Sequence, residues 1–162
     1  MSNKIICVIL LLLYGCASNA NDERPSKVVS DFYHNYRSSS ERVRQFKNYS
    51  LEEQYELFIF GNQVVHPPAI YLDSPFAEQG PIIVPFLKMK LEAAKDEATI
   101  RDIALIFSEV ARLKLYDFSK DTELMKLLEH KINNMQGNWK DVSLKFLSQI
   151  RSALHPSQMP GG

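Results

Sequence analysis

Four histidines, a close pair of aspartates and two cysteines are the side chains of this 162-residue chain whose chemistry extends beyond packing. His34, His66, His130 and His155 are scattered, and none forms the HExxH or His-x-x-x-His pair that would put two ligands on one helix face. Glu129 does not complete a site with His130, because neighbours on a helix point about 100° apart. No metal and no cofactor is expected, and the histidines read as structural or solvated. Asp117 and Asp121 flank a helix junction, where Asp is an ordinary turn and cap residue. They would do acid–base work only if burial drove their pKa values apart. No serine stands in a G-x-S-x-G context. No catalytic residue emerges from this survey, and the chain is not expected to be an enzyme.

The cysteines point elsewhere. Both Cys7 and Cys16 fall at the very start, after the single base Lys4 and around the apolar run Ile5 to Leu13. Nine apolar residues are too few for a membrane-spanning helix, which takes roughly 20. A basic opening before a short apolar run is the layout of a secretory signal. The following Leu13-Tyr14-Gly15-Cys16 resembles the lipobox of bacterial lipoproteins, with Leu at −3 and a small residue at −1. Tyr14 stands where that pattern usually has a small residue. The resemblance implies a signal peptide over residues 1–15, acylation of Cys16, and a flexible lipidated tether over residues 16–25. It also implies attachment to the bacterial envelope, facing the periplasm. Ala17 occupies the place of the Asp that usually retains lipoproteins in the inner membrane, so the outer membrane is favoured. The alternatives are export as a soluble protein after cleavage at Ser18-Asn19-Ala20, which has small residues at both ends, and retention of the apolar run as a signal anchor. With no other cysteine, neither a disulfide nor a thiolate metal site is expected in the remaining chain.

Beyond residue 15 there are 18 Lys+Arg against 19 Asp+Glu, a net charge of −1. That balance argues against nucleic-acid binding, which is driven by neutralising phosphates. The charges are unevenly spread. Residues 48–87 hold no Lys or Arg, five acids, seven aromatics and five of the eight prolines. The plain reading makes Tyr55, Phe58, Phe60, Tyr71, Phe76 and Phe86 core, with the glutamates solvated. The functional reading leaves some aromatics exposed, rimmed by Glu52, Glu53, Glu56 and Glu78 with Tyr71 at the edge. Such a surface would suit a basic protein partner, since aromatics anchor interfaces and opposite charge steers encounter.

The elements are helical throughout. Ser26 caps a first helix with Val28, Val29, Phe32 and Tyr36 on its apolar stripe, and the serine run 38–40 breaks it before a segment carrying Val43 and Phe46. Ser50 to Glu53 is a capping-box pattern opening a helix with Leu51, Tyr55, Phe58 and Val65, weakened in its second half by Gly61. Pro67 and Pro68 end it. A short helix up to Gln79 and another from Ile82 to Ala94 follow, separated by Gly80 and Pro81. Ala77, Gly80, the run 83–87 and Leu91 resemble the turn and second helix of a HEAT-type repeat over some thirty residues. Asp96 caps a helix with Ile100, Ile103, Phe107, Val110 and Ala111 on one stripe. Thr122 to Met135 forms the next. The last packs Trp139, Val142, Phe146, Ile150 and Leu154 before His155-Pro156. The expected fold is all-α, six or seven helices in antiparallel pairs, as a short α-solenoid or an irregular bundle. It comprises one domain over residues 26–155 and a disordered tail over 156–162. The function this predicts is a lipid-anchored periplasmic binding protein, an adaptor or immunity-type inhibitor of another envelope protein. The alternatives are a small periplasmic hydrolase or cell-wall enzyme, and a protein that holds a lipid or small hydrophobe between helices.

Overall fold

Most helices begin where the sequence supplies a cap. Ser26 accepts the Val29 N–H at the start of α1 (Lys27–Asn35). Reciprocal capping boxes, Ser38 with Glu41 and Ser50 with Glu53, open α2 (Ser39–Phe46) and α3 (Leu51–Gln63). A 3-10 turn at Ile70–Leu72 leads into α4 (Asp73–Ala77), and a second at Gly80–Ile82 leads into α5 (Ile83–Ala93). Asp96 caps α6 (Glu97–Arg112) through the Thr99 N–H, and Asp121 caps α7 (Thr122–Asn133) through the Leu124 N–H. The last helix is α8 (Lys140–Leu154). This computed structural model describes residues 25–154, and no strand occurs among them, so the fold is all-α. Among the described residues there are eight helices, close to the six or seven expected, with the eight-residue α2 and the five-residue α4 the shortest. The signal region 1–15, Cys16, the tether up to residue 24, His155, the side chain of Leu154 and the tail 156–162 lie outside the described residues.

The core is organised around α6. Ile100, Ile103, Ala104, Ile106, Phe107 and Val110 are buried along it, and α6 packs against α3, α4, α5, α7 and α8. In a solenoid each unit touches only its sequence neighbours. Here one helix touches five, and α1 packs across α2 onto α3, which is the irregular-bundle alternative. Phe107 is fully buried and meets Phe118 edge to face with ring centroids 5.8 Å apart. Truncating such a side chain to Ala costs about 3–5 kcal/mol. Among the described residues no helix is long and apolar enough to cross a membrane.

Two local expectations need correcting. Gly61 does not end α3, which continues to Gln63. A Cβ at Gly61 would lie 2.0 Å from the Tyr33 hydroxyl and 2.7 Å from the Ala69 Cβ, so the glycine permits a close crossing. The Tyr33 hydroxyl then reaches the Leu57 carbonyl at 2.8 Å, and the Ala69 N–H reaches the Gly61 carbonyl at 2.9 Å. The buried register of α3 is therefore Gln54, Leu57, Phe58, Gly61 and Asn62, with Leu51 and Tyr55 only half-buried and Val65 beyond the helix end. On α8 the buried positions are Ser143, Leu147 and Ile150, which turns Val142 and Phe146 to the half-buried shoulder. Trp139, expected in the core, precedes the helix and is 44% exposed.

Candidate functional site

The acidic residues singled out from the sequence are engaged by this chain's own groups. Glu52 pairs with Lys90, whose ammonium also lies over the rings of Tyr55 and Phe86 at 4.9 and 5.3 Å. Glu53 accepts from the Ser50 hydroxyl and N–H, and these bonds hold its carboxyl below the usual range. Glu56 accepts from the Ser26 hydroxyl, and Glu78 pairs with Lys47. The Tyr71 hydroxyl accepts from Arg42 at 2.9 Å. Each of the five is thus tied to a different partner. The seven aromatics of the stretch are buried or half-buried, so none stands exposed among the glutamates.

The histidines and the aspartate pair stay apart. His34, His66 and His130 are exposed, and among the described residues no group of three His, Cys, Asp or Glu side chains could hold a metal ion. Asp117 is held below the usual carboxylate range by the Ser119 hydroxyl, with Lys120 assisting. Burial pushes Asp121 up, but the Leu124 N–H, the Tyr116 hydroxyl and Lys88 outweigh it and the net shift is also downward. Two carboxyls shifted in the same direction do not divide into an acid and a base.

A more built site lies where α3 ends, α6 begins and α8 begins. There the chain encloses a cleft of about 450 Å³ whose walls include Asn62, His66, Ile70, Arg101, Leu105 and Trp139. That volume falls within the range of small-ligand sites. Three features of α6 assemble it. Glu97, in the first turn, accepts the backbone N–H groups of Gln136 and Gly137, the latter at 2.9 Å, and so pins the loop that carries Trp139. One turn later the Arg101 guanidinium stacks 3.9 Å from the centre of the Trp139 ring. Asp102, 1% exposed, accepts from Arg101 at 2.8 Å and from the Gln63 amide at 2.9 Å. Burial pushes the Asp102 carboxyl up, and the Gln63 and Arg101 hydrogen bonds oppose that without cancelling it.

Asn62 stands out within this wall. The residue is 8% exposed, its amide nitrogen and oxygen are both buried, and neither has a hydrogen-bond partner. A buried polar group without a partner costs about 1–3 kcal/mol, so native structures seldom keep one without cause. His66, flanked by a cis bond to Pro67, and Pro68 close the cleft beside it. The exposed apolar surface of Ile70 (60%) and Trp139 (44%) lies at the same opening.

Reading the sequence by motif passed over Asn62, Gln63, Arg101 and Asp102. Two signals were available. Asn62 follows the buried Phe58 by four residues, placing an amide on an apolar helix face, and Asp102 precedes the buried Ile106 by the same spacing. No protein-family model, curated protein or solved structure matches the chain.

Proposed function

We propose that this chain is a lipid-anchored binding protein of the bacterial envelope, facing the periplasm, that holds or inhibits another envelope protein through its helical surface. Its lipobox-like start supports the anchor. The observation that carries the binding reading is the cleft of about 450 Å³ with the part-exposed Trp139 at its wall. Tryptophan is enriched among residues that dominate interface energies, particularly where it sits against a preformed hollow. Glu97 and Arg101 fix this one in place.

The acidic stretch remains the second surface for a partner, and a basic protein approaching it would have to displace Lys47 from Glu78 and Lys90 from Glu52. Exchange of one ion pair for another gains little at an exposed site. The cleft also favours a second reading, retention of a small hydrophobe between helices, because Pro68, Ala98, Leu105 and Phe146 give it apolar walls.

Site-specific photocrosslinking in intact cells separates these. A photoreactive phenylalanine analogue at Trp139, compared with one at Glu56, should yield a discrete protein adduct at position 139. An adduct at position 56 alone would move the interface to the acidic stretch. No adduct at either would remove the protein-binding reading. Cys16→Ser should shift the chain from the membrane to the soluble envelope fraction, and an unacylated chain that stays with the membrane would overturn the anchor.

A further inference from the structure

The helix α5 is apolar on two sides. Successive helical residues point about 100° apart, so Ile83, Val84, Leu87 and Leu91 share a face, and that face is buried in the core. Ile82, at the end of the 3-10 turn leading into α5, falls on the opposite side with Phe86, Met89 and Ala93, and Pro85 lies beside them. Ile82 is 69% exposed and Met89 53%. Pro85 and Ala93 are exposed as well, and Phe86 is half-buried. A surface helix normally turns polar residues to solvent, and one that is apolar all round is one that something covers. From Ile82 to Ala93 the uncovered stripe runs about 16 Å. It contributes no residue to the cleft beside Trp139 and is a separate surface.

The place where the chain enters the fold indicates what covers it. The Ser26 hydroxyl bonds Glu56 on α3 at 2.9 Å. One turn earlier on the same side of α3, Glu52 pairs with Lys90 of α5, whose ammonium lies 5.3 Å from the centre of the Phe86 ring. Four residues rise about 6 Å along α3, so Ser26 stands close to the edge of the stripe. The ten residue steps from Cys16 to Ser26 span at most about 36 Å. A lipid on Cys16 would therefore hold α5 within that distance of the bilayer, as a short linker holds two binding partners at high effective concentration. A free protein partner has no such advantage at this face.

Resting on the lipid-anchor reading above, we infer that α5 is a membrane-contact element. Ile82, Pro85, Phe86, Met89 and Ala93 lie in the interface of the bilayer that holds Cys16, with the helix along the surface. Its eleven residues are too few to span, and burial of the apolar stripe drives the contact. Charge does not drive it. Lys88 is paired with Asp121 and Glu123, and Lys90 with Glu52, while Glu92, three residues after Met89, adds only negative charge. Zwitterionic lipid is therefore sufficient. With the anchor, the contact makes two attachments, which hold the domain in one orientation instead of leaving it free to turn about a single point.

The test uses the chain extracted from cell envelopes and reconstituted in phosphatidylcholine vesicles whose acyl chains carry bromine, a short-range quencher of tryptophan. Trp139 is the only tryptophan in the chain. In a Trp139→Phe background, Met89→Trp puts the sole indole on the stripe, and Lys145→Trp puts it at an exposed site of α8. Flotation with the vesicles reports the anchor, and quenching reports the face. Both chains should float, and quenching at position 89 should exceed that at position 145 at least about threefold, as expected for an apolar face seated about 5–10 Å into the interface. Adding Ile82→Glu to the Met89→Trp chain should lower its quenching to the level at position 145 with flotation unchanged. Circular dichroism would establish that the variants are folded. Equal quenching at the two positions in chains that float would overturn the contact and leave the anchor standing. Chains that do not float would remove the anchor and the contact with it. Quenching that requires anionic lipid would overturn the apolar account. A photoreactive phenylalanine analogue at Ile82 in intact cells should capture phospholipid, and capture of a protein or of a second copy of this chain in its place would also overturn the inference.

Discussion

Replacing Asn62 with Leu should make this protein more stable. Leu has the same branched shape, and its larger terminal methyls have the cleft to expand into. The substitution removes two buried polar atoms that the fold leaves without partners. An unsatisfied buried group costs about 1–3 kcal/mol, and the residual exposure of 8% offsets little of that. Leu also has the better helix propensity, by about 0.5 kcal/mol or less. The expected gain is about 2 kcal/mol, which for a domain of this size raises Tm by about 6–10 °C. Thermal unfolding followed by far-UV circular dichroism, with a denaturant titration as a second measure, reads it directly. A gain no larger than the propensity difference would mean that the amide is already satisfied by water in the free protein. A loss of about 1 kcal/mol or more would show that the fold needs the amide, and would refute the reasoning. Stability gained together with loss of the Trp139 crosslink is the signature of a residue kept for binding rather than for folding.

Gly61→Ala should destabilise despite a helix-propensity gain of about 1 kcal/mol. Its Cβ would meet the Tyr33 hydroxyl at 2.0 Å, and overpacking with loss of the bond to Leu57 costs about 2–4 kcal/mol. In a Tyr33→Phe background the same change should cost less, because that atom is gone; equal costs in both backgrounds would disprove the close-crossing account. Asp102→Asn tests the buried carboxyl. Its folded pKa is raised, so its favourable contribution exists below the unfolded pKa and is lost as pH rises through the folded one. The variant should therefore gain Tm relative to wild type at neutral pH and lose that advantage in acid below the unfolded Asp value. An advantage independent of pH would show that ionisation is not the cause. Glu97→Gln should loosen the Gln136–Gly137 loop and red-shift the Trp139 emission with little loss of helix content, and an unchanged spectrum would mean that the loop is held by other contacts.

The caps were the most legible part of this fold because capping is local chemistry. Ser26, Ser38, Ser50, Asp96 and Asp121 each bond an N–H within three residues, and the sequence carries both halves of the bond. The stripe of α6 was legible for a related reason, since only one apolar face fits its length. On α8 two registers compete: Trp139, Val142, Phe146 and Ile150 share one face, and Ser143, Leu147 and Ile150 share another. Size alone favours the first. Packing against α6 selects the second, and that is a tertiary decision with no local trace. The cleft was illegible for the same reason, being joined by contacts 39 and 40 residues apart in the chain.

The positions where local rules fail are not distributed at random. An amide occupies an apolar register at residue 62, a carboxylate at residue 102 is 1% exposed, and the only tryptophan stands 44% exposed at residue 139. Each costs stability, through an orphaned amide, a desolvated charge and unburied aromatic surface respectively. If those costs were independent accidents they would fall on unrelated faces. All three line one cleft, and Arg101 contacts both the carboxylate and the tryptophan. Sequences retain local inconsistencies mainly where function requires them. Their convergence separates this cleft from the smaller hollow at Asp117 and from the acidic stretch, where each charge has a routine structural partner.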